Sequence, residues 1–277
     1  MHYNTIWLSD IHLGFRDCKA EYLLDLLSNT RCDTLYLVGD IIDIWAMNRS
    51  FHWPQSHQEV LKKLIEIASG ETRVIYIPGN HDYQLREIIG SILLNVEIQS
   101  RQVHTTAAGK QFLITHGDEF DHAVMCSNLL KTIGDASYYQ LLRLNRAINR
   151  LRKCFGLPYW SLAYYVKNRV GNARKAIEHY EEAAAKEAAK LELDGIICGH
   201  LHQPELRAIN GVLYCNDGDW VESCTALVEH QEGRLELVHW ADLKQPIKCD
   251  QAANDKAFCA PYPLPGLQSR QNLLSSE

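Results

Sequence analysis

Val74-Ile75-Tyr76-Ile77-Pro78-Gly79-Asn80-His81-Asp82 runs four β-forming residues straight into a polar turn that carries carboxamide, imidazole and carboxylate in succession. A continuous β-branched and aromatic run of this length fits a strand covered on both faces. Working outward, the same join recurs. Ile6-Trp7-Leu8-Ser9 leads into Asp10-Ile11-His12, and Leu35-Tyr36-Leu37-Val38 leads into Gly39-Asp40. Phe112-Leu113-Ile114-Thr115 leads into His116-Gly117-Asp118, and Gly195-Ile196-Ile197-Cys198 into Gly199-His200-Leu201-His202. Helical patterns separate the first three runs, at about residues 19–28 and 58–69. A β-α-β-α-β order predicts a layered α/β domain whose loops gather functional groups at one sheet edge.

The residue types in these turns fix the chemistry. Carboxylate, imidazole and carboxamide suit borderline divalent metals such as Mn, Fe, Co or Zn, whereas a copper or iron–sulfur site would draw on thiolates. In a two-metal hydrolytic site the cations lie about 3.5–4 Å apart and share a carboxylate, for which Asp40 is the natural candidate. Asp10 with His12, and His200 with His202, stand two residues apart and share a side wherever the backbone stays extended. Such pairs can serve one cation or two adjacent ones. A lone His-x-His or Gly-Asp is a common surface turn; the joint occurrence of five clusters after five strand-like runs argues otherwise. His52, His57, His104, His179 and His239 have no partner motif and read as ordinary surface or core residues. Asn216-Asp217-Gly218-Asp219 reads as a turn that could reach the site.

The blocks D-x-H, G-D-x-x-D, G-N-H-D, H-G-D and G-H-x-H, in order over residues 10 to 202, resemble the calcineurin-like metallophosphoesterase superfamily. The resemblance implies an α-β-β-α metallophosphoesterase sandwich, a layered α/β fold. It implies two divalent metal ions, with Mn expected and Fe, Co or Zn as alternatives. Asp10, His12, Asp40 and His202 would hold the first, and Asp40, Asn80, His116 and His200 the second. His81 would be the outer-sphere histidine acting on phosphoryl oxygens or the leaving group, with Asp82 and Asp43 in support. Water activated by the cations would then attack phosphorus in line, without a covalent enzyme intermediate.

With 277 residues and a net charge of −6, the chain can bury a sizeable core. Met1-His2-Tyr3-Asn4 enters a strand directly, so no signal peptide is expected. No apolar run approaches a bilayer span. Nine cysteines lack C-x-x-C spacing, which suits a reducing compartment and a cytoplasmic enzyme. Cys18, Cys32, Cys126, Cys154 and Cys198 read as small buried hydrophobes.

Charge is unevenly spread. Arg143 to Lys175 holds nine Lys or Arg residues and no Asp or Glu. This stretch interrupts the core pattern, so the expected division is a core over 1–120 and 193–248, a helical lid insertion over 121–192, and a tail over 249–277. Leu144, Ile148, Leu151 and Phe155 share one helical face, and Arg143, Arg146, Arg150 and Lys153 another. A second helix is expected over about residues 172–191. The basic, aromatic segment predicts an anionic, phosphate-containing substrate, acylated if the apolar faces hold chains. It also suits contact with an anionic membrane surface, at the inner face of the cytoplasmic membrane. Nucleic acid is not expected, because the molecule as a whole is acidic. The oligomeric state is left open.

A core with a helical insertion after H-G-D is similar to bacterial UDP-2,3-diacylglucosamine diphosphatases of lipid A synthesis. That similarity implies cleavage of the pyrophosphate to UMP and a lipid sugar 1-phosphate. Besides Asn80, it points to Asn168, Asn172 and Lys175 as substrate contacts. Two features depart from those enzymes: His81 stands where they carry arginine, and Glu119-Phe120-Asp121-His122 follows H-G-D. Pyrophosphatase or phosphodiesterase action on another nucleotide-linked or phospholipid-like compound is therefore the alternative. A non-catalytic scaffold would have lost ligands that this chain retains. A protein phosphatase would carry G-N-H-E.

Overall fold

The computed structural model describes residues 1–123 and 171–243, with individual positions between 140 and 165. Two sheets dominate it. The first has the order β12-β11-β1-β2-β3-β5-β4 and the second β6-β7-β8-β10-β9. In the first, β1 (His2–Leu8), β2 (Arg31–Val38), β3 (Arg73–Ile77) and β5 (Val96–Ile98) are parallel. β4 (Ile92–Leu93), β11 (Thr225–Glu229) and β12 (Leu235–His239) extend its edges antiparallel. In the second, β7 (Gln111–Ile114), β8 (Gly195–Cys198) and β10 (Val212–Asn216) are parallel, flanked by antiparallel β6 (Gln102–Thr105) and β9 (Glu205–Ile209).

Side-chain alternation along the strands builds the layers. Ile6, Leu8, Leu35, Leu37, Val74 and Tyr76 face α1 (Ala20–Asn29) and α3 (Gln55–Ala68), which bury Leu23, Leu26, Leu27, Val60 and Leu64 against them. The intervening Trp7, Tyr36, Val38, Ile75 and Ile77 point the other way, onto Phe112, Ile114, Ile197 and Cys215 of the second sheet. Each fully buried Ile or Leu contributes about 1.5–3 kcal/mol. The far side of the second sheet, Leu113, Ile196, Cys198 and Tyr214, is covered by Tyr180, Ala184, Ala185 and Ala188. Those four lie on the helix Gly171–Lys190, and the spacing 180, 184, 188 puts them on one stripe. The expected four-layer α/β sandwich is thus present.

This last helix fell within the expected insertion, yet it supplies the fourth layer, because small alanines let it lie close on the sheet. Most of the remaining insertion, Cys126, Asn168 and the tail lie outside the described residues. A helical stretch at 144–149 is described, and Arg146 there was expected to face substrate. It instead ion-pairs with Asp17, a buried carboxylate that needs a counter-charge. Cys154 is exposed, unlike the buried Cys32 and Cys198, so it is not a core residue. No described helix is long and apolar enough to cross a membrane.

Candidate metal centre

The turns after β1 and β2 are zipped together: Asp10 N–H donates to Gly39 O at 3.0 Å, and His12 N–H to Asp40 O at 2.9 Å. Five expected ligands take left-handed backbone conformations: Asp10 (φ 49°), His12 (54°), Asp40 (55°), His200 (68°) and His202 (52°). Non-glycine residues rarely adopt such angles, which cost about 1–3 kcal/mol each and gather at functional sites. Close approach does the rest. A Cβ on Gly79 would run into Asp40 Oδ1 and His116 Nε2, and one on Gly199 into Ser9 and Asp10, so only glycine fits at either turn.

Three turns therefore bring Asp10, His12, Asp40 and His202 to one point. His12 Nε2 lies 3.7 Å from Asp10 Oδ1 and 3.8 Å from Asp40 Oδ2, and His202 Nε2 lies 3.2 Å from Asp10 Oδ1. The Nε2 atoms of His12 and His202 face each other at 3.3 Å. Beside them His116 Nε2 stands 3.6 Å from Asp40 Oδ2 and 3.2 Å from Asn80 Oδ1. Asp40 thus faces both groups, as a shared carboxylate would. His200 packs its ring 5.2 Å from that of His116, but its Nε2 bonds Asp121 Oδ1 at 2.9 Å. Asp121 is a residue the motif reading did not single out.

Partners behind the ring nitrogens set the tautomers. His12 Nδ1 meets Asp43 Oδ2 at 3.0 Å, and His116 Nδ1 meets the Val38 carbonyl at 2.9 Å. Each Nδ1 therefore donates, which turns Nε2 into the site as the nitrogen a cation would take. His81 Nδ1 bonds Asp43 Oδ1 at 2.9 Å, and Asp43 also accepts the Ala46 N–H as the N-cap of α2 (Ile44–Arg49). The His81 ring is partly exposed, 5.1 Å from that of Trp45. Asp82 lies deeper. It accepts Gly79 N–H at 2.6 Å, Ile41 N–H at 2.8 Å and Tyr76 O–H at 2.5 Å, so it ties the β2 and β3 turns together and acts through them.

Burial works against charge on Asp10 and Asp40. His202 and His12 nonetheless hold Asp10 well below the usual carboxylate range, and His116 and His12 do the same for Asp40. Burial likewise opposes charge on His12 and His116, yet Asp10 with Asp43 and Asp40 respectively raise them well above an ordinary imidazole. A divalent cation fits this donor set. Asp10 Oδ1 is buried with no hydrogen bond aligned on it, and two imidazole nitrogens converge beside it.

Of the insertion residues expected at the site, Asn168 and the side chain of Asn172 lie outside the described residues. Lys175 is exposed on its helix, and no bond from it to these turns is present among the described residues. Asp217 and Asp219, expected in a turn, are both buried against the first group. Asp219 Oδ1 lies 3.9 Å from His202 Nδ1.

His57, read as an ordinary residue, supports the β1 turn. Its Nδ1 accepts the Gly14 N–H at 2.9 Å, and burial, with the neighbouring His52, pushes its pKa down to about 4. The folded protein thus keeps His57 neutral while the unfolded chain takes up a proton near pH 6.5. Stability from this group is complete above pH 6.5 and is lost as pH falls toward 4. Between pH 7 and 4.5 the loss amounts to roughly 2–3 kcal/mol. Urea melts should show His57→Gln with a correspondingly flatter acid limb, and identical limbs would refute the assignment.

Paired carboxylate–imidazole groups at the turns of a two-sheet sandwich define a metal-dependent hydrolase. More specifically, the chain belongs to the calcineurin-like phosphoesterase family, whose model matches residues 3–204. It is similar to the UDP-2,3-diacylglucosamine hydrolase of Blochmanniella pennsylvanica (strain BPEN), at 26% identity over 225 residues, covering 74% of this chain and 82% of that protein. The protein of the same name from Chromohalobacter salexigens is 24% identical over 215 residues, covering 72% and 80%. Among solved structures it is similar to YfcE, a phosphoesterase from E. coli, with a TM-score of 0.41, 15% identity, and coverage of 85% and 98%.

Proposed function

We propose that the protein hydrolyses the pyrophosphate of UDP-2,3-diacylglucosamine, releasing UMP and an acylated sugar 1-phosphate. The observation that carries the substrate is the shared name of relatives matched across about four-fifths of their own length. The convergent turns support the chemistry. We assign two divalent cations, Mn in the first instance, to Asp10, His12, Asp40 and His202 and to Asp40, Asn80, His116 and His200. When bound, such cations stabilise charge developing on phosphoryl oxygens and activate water.

The protein's own groups orient the reaction. Asp43 fixes the rings of His12 and His81 together. His81, 21% exposed, is assigned to a phosphoryl oxygen or a leaving group. The basic insertion, including Lys175, is assigned to the anionic substrate and to the membrane surface where an acylated substrate resides. Arg146 is excepted, since it is spent on Asp17.

A second reading, hydrolysis of another nucleotide-linked or phospholipid-like pyrophosphate or diester, is favoured by one residue: His81, where the diphosphatases resembled carry arginine. Mn²⁺-dependent UMP release from UDP-2,3-diacylglucosamine, beside cleavage of bis(p-nitrophenyl) phosphate, separates the two. UMP release is the expected result. Diester cleavage without it would keep the chemistry and discard the substrate.

A further inference from the structure

Ser9 lies between two buried carboxylates. Its Oγ is 2.6 Å from Asp10 Oδ2, 2.6 Å from Asp217 Oδ1 and 3.1 Å from Gly218 O. All three side chains are at most 1% exposed. Asp10 Oδ2 also accepts the His200 N–H at 2.8 Å. Two donors therefore saturate Oδ2, which aims the other oxygen, Oδ1, at the imidazoles of His12 and His202.

One hydroxyl hydrogen cannot serve two carboxylates at this distance. A second hydrogen on the Asp217–Ser9 contact resolves the count: Asp217 donates to Ser9, and Ser9 donates to Asp10. The turn is built to hold Asp217 there. Asn216 Nδ2 donates to Gly199 O at 2.7 Å, Asp217 N–H to Cys198 O at 3.1 Å, and Thr225 Oγ1 to Asp217 O at 2.9 Å. The strand that supplies Asp217 is thereby fastened to the turn that supplies His200 and His202.

We infer that Ser9 and Asp217 are positioning residues for the first cation site, a hydrogen-bonded pair that fixes the rotation of Asp10 and leaves Oδ1 to the metal. The inference rests on the metal-dependent chemistry proposed above and not on the substrate. Groups that orient a ligand from behind typically change metal affinity by about 10–100-fold.

The test is calorimetric titration of the full chain with Mn²⁺ alone, with urea melts on each variant. Ser9→Ala should lower the affinity of one of two sites by about 10–100-fold with an unchanged second site, and Ser9→Thr should restore it. Asp217→Ala should also weaken that site. Asp217→Asn, whose amide can still donate to Ser9, should bind as the wild type does. A merely structural role would make Asp217→Asn and Asp217→Ala alike in stability and leave the affinity of folded molecules unmoved. Wild-type affinity in folded Ser9→Ala or Asp217→Ala overturns the inference while the metal chemistry stands. Absence of Mn²⁺ binding in the wild type overturns both. Should Ser9→Ala fail to fold, the two Asp217 variants decide.

Discussion

Asp40→Ala is expected to reduce Mn²⁺-dependent cleavage of bis(p-nitrophenyl) phosphate by about a thousandfold or more, because several kcal/mol of transition-state stabilisation are at stake. Asp40 faces His12 on one side, at 3.8 Å, and His116 on the other, at 3.6 Å. Its loss would weaken both groups. The fold should survive. Asp40 Oδ1 accepts one backbone N–H, from His81 at 2.8 Å, and a single orphaned donor costs about 1–3 kcal/mol. Asp33→Ala, on the exposed start of the same strand, is the control and should leave activity unchanged. Cleavage by Asp40→Ala within tenfold of the wild type would remove Asp40 from the shared position.

What could be read from the sequence was the part that is local. Each cluster joins a β-branched run to a polar turn, and both halves are visible within about ten residues. The same signature was available once more, at Val212-Leu213-Tyr214-Cys215 followed by Asn216-Asp217-Gly218-Asp219, and it marks the turn that backs Asp10. It reads first as a turn, with reach to the site only as the second possibility, because acids beside a glycine are ordinary turn chemistry. Ser9 and His57 gave no signal, since their partners are a distant carboxylate and a backbone N–H. The short strands β4, β5 and β6 are two to four residues long, too few to establish a period. Helix-forming composition, rich in Ala, Glu and Lys, predicts a helix at about 172–191, but propensity says nothing about which surface the helix Gly171–Lys190 covers. The pairing of Arg146 with Asp17 spans 129 positions and is equally invisible in a charge count.

Asp82, expected in support of His81, is engaged entirely from within the protein. Both its oxygens are taken up by Gly79 N–H, Ile41 N–H and Tyr76 O–H. Replacement by alanine would leave three buried donors without an acceptor. At about 1–3 kcal/mol each, partly relieved by relaxation, the loss should be roughly 3–6 kcal/mol. That is comparable with the whole stability of many domains. Asp82→Ala should therefore melt in urea at a much lower midpoint, or fail to accumulate as folded protein. Asp82→Asn keeps one acceptor oxygen and should lose less, while its amide nitrogen faces a donor. In the folded fraction at saturating Mn²⁺, Asp82→Asn should alter cleavage far less than Asp40→Ala does. The turns it ties together, at Ile41 and Gly79, are the ones that bring Asp40 and Asn80 to His116. A large fall in turnover with an unchanged urea midpoint would instead place Asp82 in the chemistry itself.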